Sequence, residues 1–405
     1  MMDPEKETTE EIISPSNQAV KKEEKKVLIY HREQEYLCQK DNIILWRGQE
    51  QKDDNARPIT DPESYFQKFI FDLFSQHFEH VTVLTAAGTS IDNGEKKGMG
   101  RTGLWDRCKE KLLSIKEKID PVKLEDKKFW IEQNLEDALT YIISYQSLCI
   151  KDIDSELNEI KKIIRESCTL ELDSNAPHEE FLRKITARKV NSSRVQLFTT
   201  NYDTLWEQAA SHAGFTIIDG FSFSHPRKFS GRYFDMDIVN REKTRIKNED
   251  NFVPNVIHLY KLHGSLDWRQ DEEDIIQSDN VEQNALVIYP ASNKYEISYK
   301  QPYFEMMSRF QQALRKDNVL LLIMGFGFQD MHIKNIIVEA VKQNPSLHIV
   351  ILDYNPQKSI DVIDYKNIFS GAMSKVTIIF GTFSFFTKYI PINRVYQDDI
   401  YEKDL

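Results

Sequence analysis

The chain has little cysteine. Four residues, Cys38, Cys108, Cys149 and Cys168, stand 70, 41 and 19 residues apart over a length of 405. No Cys-x-x-Cys pair exists, which argues against both a zinc ribbon and a disulfide framework. Long apolar runs are missing too. The longest, Val319 to Phe328, contains two glycines and is too short to span a bilayer. A surplus of positive charge is also absent: 53 Lys+Arg face 64 Asp+Glu, for a net charge of −11. That balance speaks against a surface built throughout for phosphate backbones. The first residues are charged and have no apolar core of the signal-peptide kind, so the expected location is cytoplasmic. No repeat and no low-complexity block is found. What remains is ordinary globular material, 40% hydrophobic and 29% charged.

Residues 1–26 read as a disordered charged tail, with Asp3 to Glu7 and Lys21 to Lys26 leaving few large apolar groups to offset the cost of ordering. Residues 27–395 then read as one folded domain. Short β-branched runs recur at Val81–Thr85, Val195–Thr200, Val256–Leu262, Ala285–Tyr289, Val319–Met324, Leu347–Leu352 and Val376–Phe380. Several are apolar on successive residues, as strands covered on both faces are. Helical stretches alternate with them, at Trp206 to Ala213, Tyr303 to Leu314 and His332 to Lys342. The expected fold class is therefore α/β: a Rossmann-like parallel sheet with helices on both faces. Between the first two runs, Leu104, Cys108, Leu112, Ile115 and Ile119 share helical spacing, as do Leu135, Leu139, Ile142, Cys149, Ile153, Leu157, Ile160 and Ile164. This predicts a large helical insertion over 104–190, packed by those stripes. Gln270 to Asn284, with its acidic cluster, and Ser222 to Pro254 read as exposed loops.

Polar and glycine residues collect where the strands end, the edge at which an open parallel sheet binds ligands. Thr85-Ala86-Ala87-Gly88-Thr89-Ser90 runs from a buried strand into small residues and hydroxyls, suited to close backbone approach and to a phosphate. Thr199-Thr200-Asn201-Tyr202-Asp203 ends a strand in a carboxamide and a carboxylate. Helix capping explains Asp203 or Thr204 but not Asn201. Leu262-His263-Gly264 ends a third strand; alone, such a histidine is ordinarily structural. Gly325-Phe326-Gly327-Phe328-Gln329-Asp330 and Asp353-Tyr354-Asn355 complete the set, the last suited to ribose hydroxyls.

Together and in order, these segments resemble the sirtuin superfamily, whose pattern is a strand ending Thr-Gly-Ala-Gly-x-Ser, then Thr-Gln-Asn-x-Asp, His-Gly, a Gly-Thr-Ser type loop and a strand ending in Asn. Gly103-Leu104-Trp105-Asp106 matches the Gly-Leu-Trp-acid signature that follows the first motif. The resemblance covers roughly residues 80–385. It departs from protein-deacylating sirtuins in having Ala86 for the first glycine and no cysteine between His263 and Gly325, where those enzymes carry two Cys pairs on a zinc module. In these respects the chain looks like the sirtuin-like NAD hydrolases of prokaryotic anti-phage systems, most like the subunit paired with a HerA-type ATPase.

The resemblance implies that NAD is the substrate, cleaved to ADP-ribose and nicotinamide, with no metal. It implies Asn201 and His263 as catalytic residues, orienting ribose or water and accepting a proton. It implies Ala87, Gly88, Thr89, Ser90, Asp203, Gly325, Gly327 and Asn355 as the NAD-binding set, with Asp203 at the nicotinamide carboxamide. The implied partners are a HerA-type ATPase and further copies of the chain; no direct nucleic-acid or membrane contact is expected. A sirtuin-type deacylase and a non-catalytic nucleotide-sensing scaffold are the alternatives. Two other signals fail. His178-Glu179-Glu180 lacks a second histidine at helical spacing, so no zinc-protease site is supported. The basic residues from Arg227 to Lys247 interleave with acids, as in a solvated loop rather than a DNA groove.

Overall fold

The structure, a computed structural model, describes residues 26–40, 43–46, 49–53, 55–56, 63–119, 128–131, 133–148, 153–189, 192–240, 252–278, 285–287, 301–354 and 359–392. Residues 1–25 of the expected 1–26 tail, Cys149 and Asn355 lie outside them, while Lys26, the last residue of that tail, instead begins the first strand. Seven parallel strands form the centre: β5 (His80–Thr85), β6 (Gln196–Thr199), β7 (Thr216–Ile218), β9 (Val256–Lys261), β12 (Val319–Met324), β13 (Leu347–Asp353) and β14 (Val376–Phe380). The two-residue strand β8 (Arg227–Lys228) lies elsewhere. Spatial order is β14-β13-β12-β5-β6-β9-β7. Apart from β7 at the edge, the strands taken in chain order follow the 3-2-1-4-5-6 arrangement of doubly wound folds, with the topological switch between β5 and β12.

Four strands, β1 (Lys26–His31), β2 (Gln34–Lys40), β3 (Ile43–Trp46) and β4 (Gln49–Glu50), add an antiparallel meander onto β14. This extension was not among the expected elements. Its apolar stretches, residues 27–30 and Ile43–Trp46, are only four residues each and stand among polar ones, at the short limit of a recognisable strand.

The central strands are apolar on both faces because helices cover both. Along β12, Leu321 and Ile323 join one core while Leu320, Leu322 and Met324 join the other. The second core is closed by α1 (Glu63–Phe74), which buries Phe66, Phe69, Ile70 and Leu73. A short α2 (Ala87–Ile91) follows β5. Next come α3 (Arg101–Lys118), α4 (Lys128–Ile131), α5 (Leu135–Leu148) and α6 (Asp154–Cys168), which bury Trp105, Cys108, Leu112, Leu139 and Ile160 in a third core of their own. The next helix, α7 (His178–Ile185), falls in the stretch read as the insertion. It packs instead on the sheet, with Phe181 against Trp206 and Phe383. Then follow α8 (Leu205–His212), α9 (Tyr303–Leu314), α10 (Met331–Gln343), α11 (Ser359–Ile368) and α12 (Phe383–Tyr389).

Two expected elements differ. The acidic cluster after Gln270 is the tip of a hairpin, β10 (Trp268–Asp271) and β11 (Asp274–Gln277), which pairs with β8 in a small antiparallel sheet. Buried Trp268 and Ile275 anchor that hairpin, so acidic residues mark its turn and not an unstructured loop. The expected strand Ala285–Tyr289 is described only to Val287, which forms a single bridge with Gly264. No helix among the described residues is long and apolar enough to cross a membrane.

Candidate active site

The site is built at the switch point. The loops leaving β5 and β12 run so close that a Cβ on Gly88 would stand 2.4 Å from the Cα of Gly325, and one on Gly325 2.5 Å from the Cα of Gly88. Gly325 also takes a φ of +66°, which disfavours any side chain. The backbone stitches the loops together: Ala86 N donates to Met324 O at 3.1 Å and Gly88 N to Gly325 O at 3.3 Å. The resulting floor opens into a cavity of about 360 Å³, within the range of small-molecule sites.

The end of β6 delivers Asn201 and Asp203, both nearly buried. The Asn201 amide nitrogen donates to Ala86 O at 3.1 Å and to Ser90 Oγ at 2.8 Å. Ser90 Oγ in turn donates to Asp203 Oδ2 at 2.6 Å. Asp203 Oδ1 accepts the first amide of α8, Leu205 N, at 3.2 Å. Both Asn201 donors are thus committed to the protein, which leaves Oδ1 to meet a ligand. Burial pushes the Asp203 carboxyl upward, against the pull of Lys261, Ser90 and the Leu205 amide.

The end of β9 delivers His263. Gly264 follows at φ +83°, and a Cβ there would meet the carbonyl oxygen of Leu286 at 2.1 Å, so the turn behind the histidine requires glycine. His263 Nε2 lies 3.1 Å from Asp330 Oδ2. The other Asp330 oxygen caps α10, accepting from His332 N at 3.0 Å and Ile333 N at 3.4 Å. A contact of Nε2 with this fixed carboxylate orients the ring and turns Nδ1 away from Asp330.

The opposite wall comes from the insertion. Leu104, Leu135, Ile164 and Leu170, with Met99 and Phe326, make it apolar, and Cys168 and Ser167 complete it. Arg107 Nη1 donates to Ser167 Oγ at 2.9 Å, fastening α3 to α6 behind that wall. Burial pushes the Cys168 thiol up to about 12, which keeps it protonated and unsuited to nucleophilic attack.

Seven of the expected residues line the cavity: Ala87, Ser90, Asn201, Asp203, His263, Gly325 and Gly327. Gly88 stands behind the lining against Gly325, and the buried Thr89 donates its hydroxyl to Ala86 O at 2.9 Å. Gly327 has open space where a side chain would project, so the wall there leaves room for a ligand. The polar set of carboxamide, carboxylate and imidazole on one side and apolar groups on the other fits a nucleotide carrying a flat ring. Among the described residues no group of three His, Cys, Asp or Glu is arranged to hold a metal ion.

The place of Asp330 before an amphipathic helix marks it in the sequence as a cap, while its second partner, His263, is set by tertiary structure. Leu135 and Ile164 belong to the stripes that pack the insertion, and periodicity gives no sign that either borders a cavity.

Fold and site define a doubly wound α/β protein with a nucleotide-type cleft at the switch point. Over residues 195–370 the chain matches the SIR2-like domain family, a segment that holds Asn201, Asp203, His263, Gly325 and Gly327. The match supports a place in the sirtuin-like superfamily and an NAD-using enzyme. No curated protein matches the chain.

Proposed function

We propose that the protein is an NAD glycohydrolase that cleaves NAD to ADP-ribose and nicotinamide. The observation that carries this reading is the convergence of Asn201, Asp203 and the Asp330-backed His263 on one cleft at the switch point. Bound NAD supplies a leaving group that is already cationic, so its departure needs no general acid. Asn201 orients the ribose or the attacking water through Oδ1. Asp203, held by Ser90 and the start of α8, receives the nicotinamide carboxamide. His263 takes the proton of the activated hydroxyl on Nδ1, and Asp330 stabilises the imidazolium that results. The apolar wall excludes bulk water from the bond being broken.

The absence of cysteine between His263 and Gly325 favours hydrolysis over peptide deacylation. The same features, by their likeness to anti-phage NAD hydrolases, support a cytoplasmic role in defence by NAD depletion, in an oligomeric assembly with a HerA-type ATPase. The test is incubation of purified protein with NAD, alone and with an acetylated peptide, each with and without the ATPase encoded beside it. Release of nicotinamide and ADP-ribose without peptide is expected. Strict peptide dependence would select a deacylase, and binding without turnover a sensor. Indifference to the ATPase in activity and in size by light scattering would sink the assembly.

A further inference from the structure

One residue at the edge of the site is out of keeping with its strand. Lys261, the last residue of β9, has a side chain 2% exposed in an otherwise apolar interior. Its ammonium donates to Glu207 Oε1 at 2.9 Å, to the carbonyl oxygen of Asp203, and at 3.5 Å to the carbonyl oxygen of Tyr202. The carboxylate of Asp267 adds its field from the far side. A buried ion pair is a poor source of stability, because desolvation consumes most of the attraction and apolar replacements of similar volume are often neutral or better. The charge pair by itself therefore gives no reason for a lysine here. The two carbonyls do: they belong to the segment between Asn201 and α8, and Lys261 itself lies two residues before His263.

We propose that Lys261 is a positioning residue of the NAD cleavage reaction, pinning the Tyr202 and Asp203 carbonyls so that Asn201 and Asp203 are held in register with His263. This rests on the proposed function. Glu207 balances the charge of the ammonium and is not itself part of the clamp, which rests on the two carbonyls. Among the described residues Lys261 is the group that joins the end of β9, the end of β6 and the first turn of α8 through one atom.

The test uses the full chain and three variants: Lys261→Met, Lys261→Met/Glu207→Leu and Glu207→Gln. Melting temperature, kcat and KM for NAD are measured on each. The single lysine variant leaves a buried carboxylate unpaired and is expected to melt well below wild type. The double variant removes both charges and is expected to recover the wild-type melting temperature while kcat stays about 10²-fold down with KM little changed, since misplacing a positioned group costs about that much. Glu207→Gln keeps the lysine and its carbonyls and is expected to hold kcat within about threefold of wild type. A double variant with wild-type stability and wild-type kcat would overturn the role of Lys261. So would an approximately 10²-fold loss in Glu207→Gln, which keeps the argument testable even if the lysine variants do not fold. A wild-type chain that fails to cleave NAD would overturn the proposed function and this role with it; the two failures are thus told apart by the wild-type control.

Discussion

His263 depends on Asp330 for both its tautomer and its aim, and Asp330 depends on α10 for its own rigidity. Asp330→Asn separates these tasks. Asparagine caps a helix as well as aspartate does, so the melting temperature should scarcely move. An amide nitrogen facing His263, however, donates where the carboxylate accepted, and turns the imidazole to the wrong tautomer. The expected loss of NAD cleavage is about 10²–10⁴-fold, equal within error to that of His263→Ala. Wild-type turnover in Asp330→Asn would remove Asp330 from the site. Asn201→Ala is expected to fall in the same range by steady-state assay, because it takes away the open Oδ1 and the two bonds to Ala86 and Ser90 together. At this scale the sequence is informative about which residues end strands and silent about which of them touch. Asn201 and His263 can be picked out because each follows a buried strand. The Asp330–His263 contact cannot, because two separate crossovers must form before those side chains meet.

Elements were legible in proportion to how completely they are covered. The strands β5, β12, β13 and β14 announce themselves because both faces are buried, so apolar residues stand next to one another along each. The β1–β4 meander does not, since its apolar stretches are only four residues long and are separated by polar ones. A helical stripe says that a face is buried but not against what, which is why α7 could not be told from α3 to α6. Its first residue, His178, shows what the sheet-facing environment imposes. The ring is enclosed by Trp206 and Phe383, neither nitrogen finds a partner, and burial pushes its pKa down to about 3. In the fold it stays neutral; in the unfolded chain it takes a proton below its ordinary value near 6.5. Its contribution is thus intact above pH 6.5 and drains away as pH falls toward 3, with a slope approaching about 1.4 kcal/mol per pH unit. His178→Phe keeps the aromatic packing and should flatten denaturation free energy against pH by that amount between pH 6 and 4. An unchanged slope would mean that the ring can ionise in place. The paired loops at the switch point give a second prediction at this scale. Gly325→Ala meets the Gly88 backbone at 2.5 Å and strains a left-handed residue, so it should destabilise by about 1–3 kcal/mol in urea. It should also weaken NAD binding, whereas Gly371→Ala, with open space around it, should carry the backbone cost and leave binding unchanged.

The molecule as a whole has two kinds of interior: the paired cores that sandwich the sheet, and the separate core of the insertion, built from α3 to α6. Because the insertion buries a core of its own, it can open as a unit while the sheet cores stay folded. The cleft lies between them, with Asn201, Asp203 and His263 on the sheet side and Leu104, Leu135 and Ile164 on the insertion side. A ligand that touches both walls binds the closed arrangement and not the open one, so it must raise the free energy of opening. At 100 times its Kd the increase is about 2.7 kcal/mol, or about 100-fold slower amide exchange. The measurement is hydrogen exchange on His263→Ala, which should bind NAD without consuming it. Amides of α3 and of α6 through Leu170 should slow by that factor on adding NAD, together with those from Ala86 to Ile91. Amides of β1 and β2, remote from the cleft, should not respond beyond the global effect. Protection confined to the strand-end loops, with α3 and α6 unchanged, would show that the insertion forms no wall of the NAD site and serves its own core alone.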